Sequence, residues 1–319
     1  MAYTTQTGAA GITRSDVWFE DGNVVLQAEG THFKVYRGAL AAHSPIFQDM
    51  FAMPQPPSEG EGTVEGCPVV HLSDTAADVT IVLRALFLLT GYVVAGEPLD
   101  FAVVAAFLRL GKKYEIELLH AEAVKRLRYE FPSTLQGLDG CHRFSMIKGN
   151  FSTSVDVANL AREQSLLCVL PLALYRCCCY PKATFTVAGI TRDAGTTAML
   201  SASDLLACLL ALNFFGRKQL YSTMAWLNSS GSTYHNCTSP APCANIRKAV
   251  LHSVYFPFAL FLGHKDWYEF KGRWLDAAGQ MCNPCNAVAE QLHNAGRAKF
   301  WDELPSMFGL SKWAELMDG

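Results

Sequence analysis

Two short runs of β-type residues, 24–29 (VVLQAE) and 31–36 (THFKVY), flank Gly30 and predict a hairpin. Residues 38–51 (GALAAHSPIFQDMF) then switch to helical spacing. Ser44-Pro45 divides them into two short helices, with Ser44 as N-cap and Pro45 at the first helical position of the second. Residues 52–66 (AMPQPPSEGEGTVEG) are rich in Pro, Gly and Glu with almost nothing apolar, which predicts a mobile loop. A third strand is predicted at 68–72 (PVVHL). After it comes a helix to about Leu89, capped by Ser73 or Asp74, with Val79, Val82, Leu83, Leu86 and Phe87 at helical spacing. Gly91-Tyr92 ends that helix. Two more are predicted over 99–111 and 114–130, the second with Ile116, Leu119, Ala123 and Leu127 in one stripe and Pro132 as its stop. From residue 151 onward the pattern reads as all-helical, with candidates at 154–180, 202–229, 243–262, 281–300 and 310–317.

The chain therefore divides into a flexible N-terminus over 1–15, a mixed domain over 16–130 and a helical domain over 131–319. Half of its 319 residues are hydrophobic and 17% are charged, enough to bury a large core. The net charge of −3 offers no basic excess, so neither nucleic acid nor an anionic membrane is an expected partner. Residues 1–15 contain no apolar stretch of the kind a secretory signal needs. The apolar runs fall short of the roughly 20 residues of a membrane-spanning helix. With no leader, the 11 cysteines are expected as reduced thiols in the cytoplasm and/or nucleus.

One cysteine pattern carries candidate chemistry. Cys237-x5-Cys243 is followed further on by Cys282-x2-Cys285. Two pairs on separate turns can supply four thiolates to a tetrahedral structural zinc, and Pro284 favours a turn that points both of its cysteines the same way. A redox disulfide and small inert thiols remain open as alternatives, and His235 or His293 could replace one ligand. Neither loop has an evident apolar reason to meet the other. Cys177, Cys178 and Cys179 are adjacent and point in different directions round a helix, so they cannot share a metal; packing or palmitoylation is the choice for them. The tail 297–317 presents Phe300, Trp301, Leu304, Phe308 and Trp313, either as a partner surface or, on balance, folded back on its own domain. No nucleophile elbow, phosphate-binding loop, His-Glu-x-x-His or dinucleotide fingerprint occurs, so the chain is expected not to be an enzyme.

Residues 16–130 resemble the BTB/POZ domain. The stretch FKVYRGALAAHSPIFQDMF at 33–51 carries the resemblance, supported by Asp16-Val17 ahead of the hairpin, by Tyr92 and by FLRLGKKYEIELL. Tyr36 stands where many such domains have His. The whole chain is similar to BTB proteins of the type expanded in mushroom-forming fungi. The resemblance implies an α+β chain: a BTB/POZ-like N-terminal domain of short strands and helices, then an all-helical C-terminal domain. It implies an oligomerisation or adaptor role, with the chain itself or another BTB protein as partner. A substrate adaptor of a cullin-type ubiquitin ligase is the alternative. It also places Asp16 and Arg37 at a shared interface, where such domains pair an acid of the first strand with a base of the second.

Overall fold

The structure is a computed structural model that describes residues 11–53, 63–88, 96–150, 152–179, 189–191, 195–228, 234, 236–257 and 259–317. Tyr92, His235, most of the 52–66 loop and residues 1–10 lie outside them, and with them what the sequence predicts there. The chain clusters into two compact units. Residues 1–130 with 143–149 form the first; 131–142 with 150–319 form the second.

In the first unit, strands β1 (Thr13–Trp18), β2 (Val24–Ala28) and β3 (Thr31–Val35) are followed by helices α1 (Arg37–His43) and α2 (Pro45–Ala52). The hairpin β2–β3 is antiparallel, with Val24 opposite Val35 and Ala28 opposite Thr31. Ser44 caps α2 as expected, its Oγ accepting the Phe47 amide at 3.1 Å while its hydroxyl donates to the Tyr114 carbonyl. Strands β4 (Thr63–Val64) and β5 (Cys67–Leu72) complete a five-stranded sheet in the order β1-β3-β2-β5-β4. Two boundaries thus move. β1 takes Thr13 to Ser15 out of the N-terminal tail, and β4 folds the end of the 52–66 loop into a turn at Glu65-Gly66, both at positive φ.

Helix α3 (Ala76–Phe87) packs against β1 and β2, α4 (Phe101–Lys113) against α3, and α5 (Glu117–Glu130) against α4, with Leu26, Phe33, Leu40, Val82 and Phe107 buried. Thr75 caps α3, correcting the expected Ser73 or Asp74. Those two residues are engaged by Lys113 Nζ, at 2.9 Å to Ser73 and 2.7 Å to Asp74. Gly111 lets α4 and α5 approach: a Cβ there would lie 2.8 Å from the His120 amide nitrogen. Leu99-Asp100 is strand β6, which leaves the expected helix to begin at residue 101. It pairs in parallel with β7 (Ile147–Lys148), which belongs to the segment that returns to this unit.

The second unit is largely helical. Its helices are α6 (Leu135–Gly140), α7 (Thr153–Gln164), α8 (Leu170–Cys178), α9 (Ala202–Leu220), α10 (Pro240–Tyr255), α11 (Trp267–Phe270), α12 (Asp276–Ala278), α13 (Asn283–Met307) and α14 (Trp313–Met317). The expected helix 154–180 breaks at Ser165, which has φ 61° and closes α7. A two-stranded antiparallel pair, β8 (Ile190–Thr191) with β9 (Thr197–Ala198), departs from the all-helical expectation. The 267–278 segment, which none of the expected helices covers, is helical too: a π-helical turn at 271–275 joins α11 to α12. Gly296 lets α13 lie against the turn after α9, where a Cβ would collide with the Ser222 carbonyl.

The aromatic tail folds back. Phe300, Trp301, Leu304 and Phe308 are buried, and Trp313 stacks on Trp301 with ring centroids 5.3 Å apart. Pro305, inside α13, cannot donate to the Trp301 carbonyl four residues earlier. The Trp313 indole donates to that carbonyl instead, at 2.8 Å. Cys177 and Cys178 are buried packing residues, with Cys179 half-buried beside them. Among the described residues, no helix is long and apolar enough to cross a membrane.

Candidate metal centre

The strongest constellation lies where two helices begin. Cys237 sits in the stretch before α10, after Asn236 at φ 71°. Pro240 opens α10, Ser239 is its N-cap, and the Cys243 amide makes the first helical bond to the Ser239 carbonyl at 3.0 Å. Cys282 is the N-cap of α13, and Cys285 lies in its first turn behind Pro284. Both helices therefore point N-termini at one place.

The structure brings all four predicted residues together. The Sγ atoms of Cys237, Cys243, Cys282 and Cys285 lie within 4.8 Å of one another. Cys237 and Cys282 are 3.8 Å apart, and the Cys282 amide donates to Cys243 Sγ at 3.3 Å. All eleven cysteines are free, so this is no disulfide. Zinc–thiolate bonds of about 2.3 Å in a tetrahedron place sulfurs about 3.8 Å apart, which is the separation of Cys237 and Cys282.

Four thiolates round a divalent ion leave a net charge of about −2, which N-terminal helix ends favour. The amide of Cys285 faces Cys282 Sγ, as do the amide and hydroxyl of Thr238, and together they draw that thiol down to about 5 against the opposing effect of burial. Burial pushes the Cys243 and Cys285 thiols upward. A metal must displace protons from those two sulfurs, while Cys282 offers a thiolate in advance.

One expectation needs correction. The two loops do have an apolar reason to meet, because Cys243, Ile246, Met281 and Cys285 share a core with Trp226, Phe270 and Ala289. The support for a metal is therefore the sulfur spacing and the directed amides, not proximity alone.

His293 is no ligand. It is fully buried against Trp267 and Phe270, and its Nε2 donates to the Lys265 carbonyl at 2.9 Å. Nδ1 has no hydrogen-bond partner, so protonation would bury an unpaired charge. Burial lowers its pKa to about 4 from 6.5. The unfolded chain then takes the proton first, so stability falls as pH falls from about 6.5 to about 4, by about 3 kcal/mol in total. Urea midpoints across that range should fall more for the wild type than for His293→Gln; parallel pH profiles would contradict this.

The predicted interface residues have local partners. Asp16 Oδ2 accepts from Arg84 Nη2 at 2.5 Å and Nε at 3.1 Å, and this guanidinium lowers the Asp16 pKa. Arg37 donates to the Phe51 carbonyl and lies over the Phe51 ring, 5.2 Å from its centroid. Among the described residues no ion pair joins Asp16 to Arg37 within the chain.

Sequence reasoning missed Arg126 and Glu130 on α5. Both are buried, and they hold residues 144–147 against this helix. The signal was present as two charges four residues apart beside the apolar stripe of Ala123 and Leu127.

Residues 19–130 match the family model of the BTB/POZ domain. No curated protein matches the chain.

Proposed function

We propose that this protein is an interaction adaptor. Its first unit pairs with a second copy of the chain or with another BTB protein, and its second unit is a helical body closed by one structural zinc on Cys237, Cys243, Cys282 and Cys285. The match over residues 19–130 supports the interaction role, since such domains generally mediate protein interaction and oligomerisation. The gathering of four sulfurs within 4.8 Å of one another, with Cys237 and Cys282 3.8 Å apart, supports zinc. Free thiols throughout accord with action in the reducing cytoplasm or nucleus.

Asp16 and Arg37 are the proposed charges of the pairing surface. The Asp16–Arg84 pair is 56% and 37% exposed, so giving it up for a partner's charge costs little, about 0–1 kcal/mol. Sedimentation equilibrium of the full chain at micromolar concentration should give a dimer, and Asp16→Asn should weaken it about tenfold. A monomer at every concentration would overturn self-pairing. Unchanged affinity in the variant would remove Asp16 from the surface.

A cullin-adaptor reading needs a helical extension behind the first domain, and α7 with α8 provides helices there. Binding of a purified cullin N-terminal domain, lost when α7 and α8 are altered, would select that reading.

A further inference from the structure

The four sulfurs of the proposed zinc centre are unequally reachable. Cys243 and Cys285 are 1% and 2% exposed inside the apolar core, whereas Cys237 and Cys282 are half-buried at its edge. The two reachable sulfurs are also neighbours, 3.8 Å apart. Cys282 is the N-cap of α13, so its sulfur stands at the positive end of that helix. Cys237 lies outside any helix or strand. Closing the gap to the ~2.05 Å of a disulfide therefore asks a short loop, not a helix, to move.

We infer that Cys237 and Cys282 are a peroxide-sensitive pair whose oxidation releases the metal, an inference that rests on the zinc reading. The Cys282 thiolate attacks one oxygen of a hydroperoxide; the O–O bond breaks, a sulfenic acid forms on Cys282, and hydroxide or alkoxide leaves. The Cys237 thiolate then attacks Cys282 Sγ; the S–S bond forms, the S–O bond breaks, and hydroxide leaves. Two protons from solvent neutralise the leaving groups. The two sulfurs together lose two electrons, and the peroxide gains them. Zinc is left with Cys243 and Cys285, two ligands where a closed structural site holds four, and it dissociates.

The test uses full-length protein whose zinc is counted before hydrogen peroxide is added. Metal release is followed with a chromogenic chelator, and disulfides are mapped by peptide mass spectrometry. One Cys237–Cys282 disulfide should form for each zinc released, and reductant with added zinc should reverse both. Zinc retained by protein that peroxide has oxidised elsewhere would overturn the inference and leave the zinc reading standing. A disulfide through Cys243 or Cys285 would do the same. Protein that carries no zinc at the start, and takes none up, would remove the zinc reading itself.

Discussion

If zinc closes the four-cysteine site as proposed, chelating it should unfold the core round Trp226, Val250, Phe270 and Ala289 while the first unit keeps its structure. Those residues share one cluster with Cys243 and Cys285, and Cys237 and Cys282 pack against it. Structural zinc in small domains contributes about 10–16 kcal/mol of apparent binding energy, comparable to the whole stability of a typical domain. Without metal, burial returns Cys243 and Cys285 to protonated thiols, and only packing holds the two helix starts together. Amide hydrogen exchange should show the loss in α10, the 267–278 segment and the start of α13, with β2, β3 and α4 still protected. Cys285→Ser should act as strongly as chelation, because three thiolates cannot close the tetrahedron. Protection unchanged by a strong chelator would contradict the metal's structural role.

Glu130→Ala should destabilise the first unit by about 3–5 kcal/mol, the cost of leaving three amides without the carboxylate that accepts them. Glu130 is 1% exposed and accepts the amides of Phe144, Met146 and Ile147 at 3.0, 2.8 and 3.4 Å. One turn earlier, Arg126 is fully buried, pairs with Glu122 at 2.7 Å, and donates to the carbonyls of Glu97 and Met146, each at 2.7 Å. Removing the carboxylate leaves the amides of Phe144, Met146 and Ile147 without their acceptor. The same network argues that a fragment ending at residue 130 is incomplete. Residues 11–149 should therefore unfold at a clearly higher urea concentration than residues 11–130. Equal midpoints, or a Glu130→Ala variant as stable as the wild type, would refute the clamp.

Local rules reached far into the first unit because its signals are local. The Ser44-Pro45 cap and the Gly30 hairpin follow from a few neighbouring residues, and the structure has both. The return of residues 143–149 depends on backbone amides that reach the Glu130 carboxylate across about fifteen residues of chain, and no periodicity encodes that. In the second unit, helix starts were legible only to within a few residues, and the 267–278 segment was missed because its π-helical turn breaks the ordinary helical period. The four cysteines were legible as a set from spacing alone. What spacing could not give was that Cys237 and Cys282 form the reachable edge and Cys243 and Cys285 the buried one, since this depends on how α10 and α13 start against a common core. For Asp16, sequence offered Arg37 as partner, while the fold supplies Arg84 from α3, a residue that nothing local connects to the first strand.

Native mass spectrometry of the full chain tests the adaptor reading most directly, because one spectrum reports pairing and metal together. A self-pairing, zinc-organised protein should appear as a dimer that carries about one zinc per chain and loses it on acidification. Single chains without metal, at every concentration sampled under native conditions, would contradict it.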